Sequence, residues 1–434
     1  MTLRRARIVV LVVPAAVYFF SYFHRVAPAV VAADLMRAFA ISAASLGSLV
    51  AIYPYVFVVM ALVAGSLADT LGPRWTLALG GATMGLGAAL FGVAPTFAVA
   101  FAGRLLVGLG ASVVLIAWLS LAAEWFRAAE FGTVSGFTQA VGNVGALVAS
   151  SPLALLVEAV GWRQTFVLIG VVTVVLAGLA AALVRDRPEA LGLPPVDPER
   201  GLRATPSVRE TLAAIPGVVR NARTWPPILA AGGVYMGLIT FMGLWGVPYL
   251  IQVYDLSRVE AASVVALAPA GLCVGSPLVG WLSDRWLGLR RPPIAVSTLL
   301  FTTCWAPLLL PHDMRLSVGV LAPFVFLMGF TASAVALVWP CVREVNNPAQ
   351  VGLAIGFVNI PIFLAFAIMQ WLTGVMLDAH WGGLTSAGVR IYPLEGYRAL
   401  FLLCFGISAA ALVASWFVTE TRCRNVWQPV ASSR

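Results

Sequence analysis

Glu124-Trp125-Phe126-Arg127-Ala128-Ala129-Glu130-Phe131-Gly132-Thr133-Val134-Ser135-Gly136-Phe137-Thr138-Gln139 decides the architecture when it is laid over Glu344-Val345-Asn346-Asn347-Pro348-Ala349-Gln350-Val351-Gly352-Leu353-Ala354-Ile355-Gly356-Phe357-Val358-Asn359. At an offset of 220 residues, Glu124, Gly132, Gly136 and Phe137 meet Glu344, Gly352, Gly356 and Phe357. Glu130 and Gln139 meet the chemically close Gln350 and Asn359. A second pair, Gly65-Ser66-Leu67-Ala68-Asp69 and Gly280-Trp281-Leu282-Ser283-Asp284, shares Gly-x-Leu-x-Asp 215 residues apart. Apolar composition alone does not produce such registers. The chain reads as two related halves.

Composition says what surrounds them. The 434 residues are 61% hydrophobic and only 10% charged, with a mean hydropathy of +0.94. A soluble domain is about 25% charged, so lipid must face much of this surface. Crossing a bilayer core takes about 20 apolar residues in a helix. Hydrocarbon satisfies no backbone polar group, so long apolar runs must be helical. A barrel would alternate apolar and polar residues, and these runs are continuous. Twelve are expected, at 7–33, 43–68, 75–95, 97–123, 131–158, 162–184, 225–252, 259–283, 292–311, 316–341, 350–377 and 398–418. Arg4, Arg5 and Arg7 before the first run imitate a signal peptide, but the run is long for one and eleven more follow. The expected class is all-α membrane protein: an N-terminal six-helix half (1–184), a polar cytoplasmic linker (185–223), a C-terminal half (224–420) and a tail (421–434). Two such halves imply a solute site at their interface and alternating access.

Every cation other than histidine is Arg, and the formal net charge is +9. Nineteen Arg fall in the loops and tails on the N-terminal side of the membrane and six in the opposite loops. This bias places both termini in the cytoplasm, in a multi-pass inner-membrane protein. Charge scattered through loops argues against nucleic acid. Cys273, Cys304, Cys341, Cys404 and Cys423 show no metal spacing. No phosphate-cradling Gly-Lys-Ser/Thr loop and no zinc motif appears. The expectation is therefore no enzyme, no metal and no cofactor.

Gly65 to Arg74 resembles the signature loop between helices two and three of the major facilitator superfamily, and Gly280 to Arg291 stands where that family repeats it. Arg104-Leu105-Leu106-Val107-Gly108-Leu109-Gly110 resembles its fourth-helix motif. Tyr22-Phe23-His24-Arg25 resembles the Tyr-x-x-Arg of its organic-anion and organophosphate branches, where the resemblance implies that Arg holds the substrate's anionic group. Ala111 stands where anion/proton symporters carry an acid, and the seventh span has no Arg or Lys to complete a two-arginine phosphate clamp. The Gly-Pro pair of drug antiporters is missing from the fifth span.

Candidate residues follow from cost. A charge at mid-membrane costs at least about 2.5 kcal/mol, so Arg25 should face a wet cavity or a partner, Asp34 being the structural choice. Its guanidinium suits a carboxylate or phosphate. His24, some 100° around the helix, is a candidate proton carrier or a packing residue. Arg104 is a coupling candidate or a structural donor. Gln139 and Asn359 are repeat-related amides that need partners. Tyr22, Trp245 and Tyr249 are candidates to line a solute site, with Gly243, Gly246 and Pro248 marking a bend. Asp69, Arg74 and Glu124, with their repeats Asp284, Arg285 and Glu344, read as a cytoplasmic gate. Arg74 is the expected partner of Glu124, and Arg285 or Arg290 that of Glu344. The expectation is a monomeric secondary transporter, coupled to protons, for a small anionic organic solute. A drug or metabolite exporter, an amino-acid or peptide carrier, and a transporter-like membrane sensor are the alternatives.

Overall fold

Apolar runs near 20 residues long must pair their backbone groups internally, and in a computed structural model they do. The structure describes residues 3–61, 63–194, 196, 215–310, 316–348 and 351–428; a few side chains within helices, those of Asp69 and Gln139 among them, lie outside the described set. The twelve expected spans are present as helices: α1 Leu3–Val30, α2 Ala43–Met60, α3 Pro73–Val93, α4 Phe97–Trp125, α5 Ala140–Val160, α6 Trp162–Leu183, α7 Ala222–Tyr254, α8 Arg258–Leu287, α9 Arg291–Leu309, α10 Val318–Val345, α11 Leu353–Ala379 and α12 Leu394–Trp416. Leu86, Val93, Leu183, Leu402 and Trp416 point outward from them, as lipid-facing side chains must.

Contacts group the chain into two units, Met1–Ile41 with Ser45–Thr205, and Ser42–Ala44 with Pro206–Arg434. In the first, α3 packs against α4 and α6. Small residues allow this, since a Cβ on Gly110 would overlap the Gly80 carbonyl, and they allow α5 to meet α1, since one on Gly145 would overlap that of Phe19. Its interior holds Tyr18, Tyr53, Trp118 and Trp125. In the second unit, α7 packs on α11 and α12, and α8 on α10, where Gly271 and Gly329 admit the facing backbone.

Several spans are interrupted. In α5 the helix Ala128–Val148 ends and Ser151–Val160 begins afresh, with Pro152 in its first turn, where a missing N–H costs nothing. In α7 the expected bend is a π-turn over Phe241–Trp245, closed by the Gly246 N–H on the Phe241 carbonyl. Turns of this kind concentrate at functional positions. A further one ends α8 over Leu282–Leu287.

The α3–α4 contact is expected to be intolerant of volume. Gly110→Val should cost on the order of 1–3 kcal/mol or more through overpacking, read as a lower melting temperature of the detergent-purified protein. An unchanged melting temperature would mean that the two helices do not meet at this glycine.

Candidate functional site

On α1, Tyr18, Tyr22 and Arg25 recur at helical spacing and share one face. Arg25 is buried, its guanidinium carbon 4.2 Å from the Tyr22 ring centroid, 5.8 Å from Phe57 and 6.0 Å from Tyr53. Tyr53 and Phe57 come from α2, four residues apart and so on one face. Such ring faces attract a cation. Tyr53 is fixed by donating to the Ser21 carbonyl at 2.9 Å. Tyr18 packs between Tyr22 and Trp118, at 5.3 and 5.5 Å. The result is an aromatic box around one guanidinium, built within the first unit. Asp34 lies 3.9 Å from Arg37, three residues on.

His24 diverges from Arg25, as 100° of helical rotation requires. Its fully buried ring lies against Phe23 and Phe166, and among the described residues neither ring nitrogen has a hydrogen-bond partner. Arg104 reaches over from α4. It is 1% exposed, donates from Nη1 to the His24 carbonyl at 3.0 Å, and lies 5.6 Å from the Tyr53 ring. Its Nε and Nη2 have no partner among the described residues.

In the second unit, Trp245 ends the π-turn and is fully buried. It donates its indole N–H to Thr373 at 2.8 Å. Gln370, one turn away on α11, donates to the Ile239 carbonyl at 3.3 Å. Tyr249 is buried among Tyr254, Tyr397 and Phe401, at 5.6, 5.3 and 4.9 Å. Asn359 is half-buried on α11, away from that nest in sequence. Gln139 falls outside the described side chains. Phe57, Gln370 and Thr373 were missed by the sequence reading. A buried amide within a span was the available signal for Gln370.

The repeated acids differ from each other. Glu344 is 2% exposed and accepts from Arg290 at 2.7 and 3.1 Å. The same guanidinium bonds Ser283 at 2.9 Å and Asp284, and Thr421 donates to Glu344. Burial opposes the charge on Arg290, but its bonds to Glu344 and Asp284 prevail and hold its pKa above the ordinary arginine value. Glu420 accepts the backbone N–H groups of Arg290 and Arg291 at 3.0 and 2.9 Å, capping α9. Arg285 is exposed and forms no ion pair among the described residues, so of the two expected partners Glu344 takes Arg290. In the first unit the expected Arg74–Glu124 pair does not form. Gly72, at φ 82°, turns the chain so that Asp186 accepts the Arg74 N–H at 2.7 Å, and the Arg74 side chain donates to the Ala181 carbonyl at 2.8 Å. Glu124 lies 3.7 Å from Arg187, at 33% exposure. The Asp69 side chain is outside the described set.

The two acids should therefore weigh differently. Glu344→Ala leaves the buried Arg290 guanidinium with only Ser283 and the exposed Asp284 and should cost up to roughly 3–5 kcal/mol. Glu124→Ala should cost about 0–1 kcal/mol, as exposed pairs do. Melting temperatures of the two variants in detergent measure the contrast, and equal losses would contradict it.

Comparison with known proteins places this geometry. The chain is 25% identical over 414 residues to the "Membrane sensor protein UhpC" of Salmonella typhimurium, covering 89% of each. It is 22% identical to the "Probable L-galactonate transporter" of Escherichia coli, covering 92% of this chain and 86% of that one. It is 23% identical to the "Probable hexose phosphate transport protein" of Chlamydia pneumoniae, covering 94% and 90%. Among solved structures, a bacterial homolog of the human lysosomal transporter Spinster superposes with a TM-score of 0.78 at 17% identity, covering 98% of this chain and 99% of that one. The family model described as the Major Facilitator Superfamily matches residues 15–343 and 247–429. With twelve spans in a duplicated pattern and a match over nearly its whole length, the chain belongs to the Major Facilitator Superfamily.

Proposed function

We propose that the protein is a secondary active transporter that moves a small anionic organic solute across the inner membrane by alternating access, coupled to protons. The observation that carries this reading is Arg25: a guanidinium buried inside a membrane span and boxed by Tyr22, Tyr53 and Phe57. A charge at that depth is expensive and is kept where it does work on a substrate or ion. Carboxylate and phosphate match it in charge and geometry. Two relatives bear names for anionic cargo, a galactonate and a hexose phosphate, which supports the same class.

His24 is the proposed proton carrier and Arg104, bonded to the His24 carbonyl, the residue that links it to the solute. Trp245, Tyr249, Gln139 and Asn359 are proposed to complete the solute's surroundings from their spans. The cluster of Asp284, Arg290 and Glu344 and the charges Asp69, Arg74 and Glu124 are proposed as gate elements at a cytoplasmic face, where the Arg bias puts both termini. Arg285 serves that gate as a solvated charge.

A second reading is a sensor that binds the solute without moving it, favoured by the likeness to a protein named as a membrane sensor. Transport by purified protein in liposomes separates the two.

Galactonate or hexose phosphate uptake into such liposomes is expected to rise when the outside is acidified and to collapse with a protonophore. Arg25→Ala should reduce uptake to the empty-liposome level while leaving the melting temperature within a few degrees. Normal uptake by that variant would sink the anion reading. His24→Gln should keep solute exchange and lose the response to the proton gradient; an unchanged response removes His24 as the carrier.

A further inference from the structure

The guanidinium of Arg104 has two distinct edges. Nη1 is committed to the His24 carbonyl at 3.0 Å. Nε and Nη2 form the side-on edge, two parallel N–H groups that take both oxygens of a carboxylate or phosphate at once. In Arg104 this edge is the part without a hydrogen-bond partner among the described residues, on a side chain 1% exposed. Among those residues no carboxylate lies within ion-pair distance of it. An uncompensated buried charge is strongly unfavourable, and a bidentate edge held inside a span is aimed at an oxyanion.

Arg104 and Arg25 also share a neighbour. Their guanidinium carbons lie 5.6 and 6.0 Å from the centroid of the same ring, Tyr53, which its bond to the Ser21 carbonyl holds in place. Both cations therefore lie around one fixed ring. They come from α1 and α4, so the pair needs no cation from α7, whose one Arg, Arg223, is exposed in its first turn.

We propose that Arg104 binds the solute directly, as a second oxyanion contact beside Arg25, and that the preferred cargo carries two negative charges, as a sugar phosphate or a dicarboxylate does. This rests on the anion reading of Arg25. It goes beyond the coupling role that the fourth-helix motif implies, because it gives Arg104 an oxyanion to hold. A lysine at this position would keep the charge but lose the planar fork.

The test is a thermal-shift titration of detergent-purified full-length protein with matched probes: galactonate, with one charge; galactarate, the same skeleton with two; glucose 6-phosphate; galactose, with none; and inorganic phosphate. It is run above the second phosphate pKa of about 6, where the phosphate ester is a dianion. The wild type should respond to galactarate and glucose 6-phosphate at concentrations at least about tenfold below galactonate, as a second charge-assisted contact implies. Arg104→Lys and Arg104→Gln should bring that ratio close to one while galactonate still binds, and Arg25→Gln should lose all the organic anions. A wild-type protein that does not distinguish galactarate from galactonate overturns the proposal without any variant. So does an Arg104→Lys protein that keeps the preference. Binding of inorganic phosphate that the organic dianions fail to displace would mark a site for a free ion and overturn it as well. A response to galactose and to none of the anions would overturn the anion reading itself, a result distinguishable from loss of the dianion preference alone.

Discussion

Hydrocarbon offers neither hydrogen bonds nor charge stabilisation, and that constraint governs this molecule. Each span must close its own backbone ladder, and polar side chains within spans must find partners in protein. Most do so locally. The hydroxyls of Thr138, Thr173 and Thr302 return to carbonyls of their own helix at 2.9, 2.7 and 2.8 Å. Those of Tyr53 and Thr373 are likewise satisfied, by the Ser21 carbonyl and the Met369 carbonyl. Against that background the side-on edge of Arg104 and the ring of His24 are exceptions among the described residues, as are the hydroxyls of Thr240 and Ser408 and the indole N–H of Trp305 in the second unit.

The duplicated halves show how one inherited position acquires two environments. Glu124 and Glu344 occupy matching places in the repeat. In the second unit Arg290 turns inward over Ser283, and Glu420 and Thr421, just past α12, close around it, so the acid is dry and fully bonded. In the first unit Glu124 stays at the surface near Arg187. A buried charge pair tolerates loss of one member poorly because the other is left without compensation. Water compensates at the surface, so the same residue type carries little stability there.

Much of the candidate site was legible along single helices. Tyr22 and Arg25 fall on one face of α1 by spacing alone, and His24 falls off it. The rings that complete the box, Tyr53 and Phe57, lie on α2, and no periodicity within α1 can point to them. Arg74 illustrates the same limit. Its charge suggested Glu124, but the left-handed turn at Gly72 set the backbone so that Asp186 and the Ala181 carbonyl were nearer. Trp245 was legible as a large aromatic beside a glycine-rich bend. That its indole N–H is taken by Thr373 depends on how α7 and α11 pack.

Class, span count and duplication were determined by the sequence itself. Hydrophobic length and the ban on unpaired backbone groups in lipid are local, one-dimensional conditions, and a repeat is a property of order along the chain. Which polar edge meets which partner was decided only by tertiary structure, because helices distant in sequence supply the partners. Arg104 shows the division: the sequence placed a cation inside α4, and only the packing of α4 against α1 and α2 tied one of its edges to the His24 carbonyl and left the bidentate edge without a hydrogen-bond partner among the described residues.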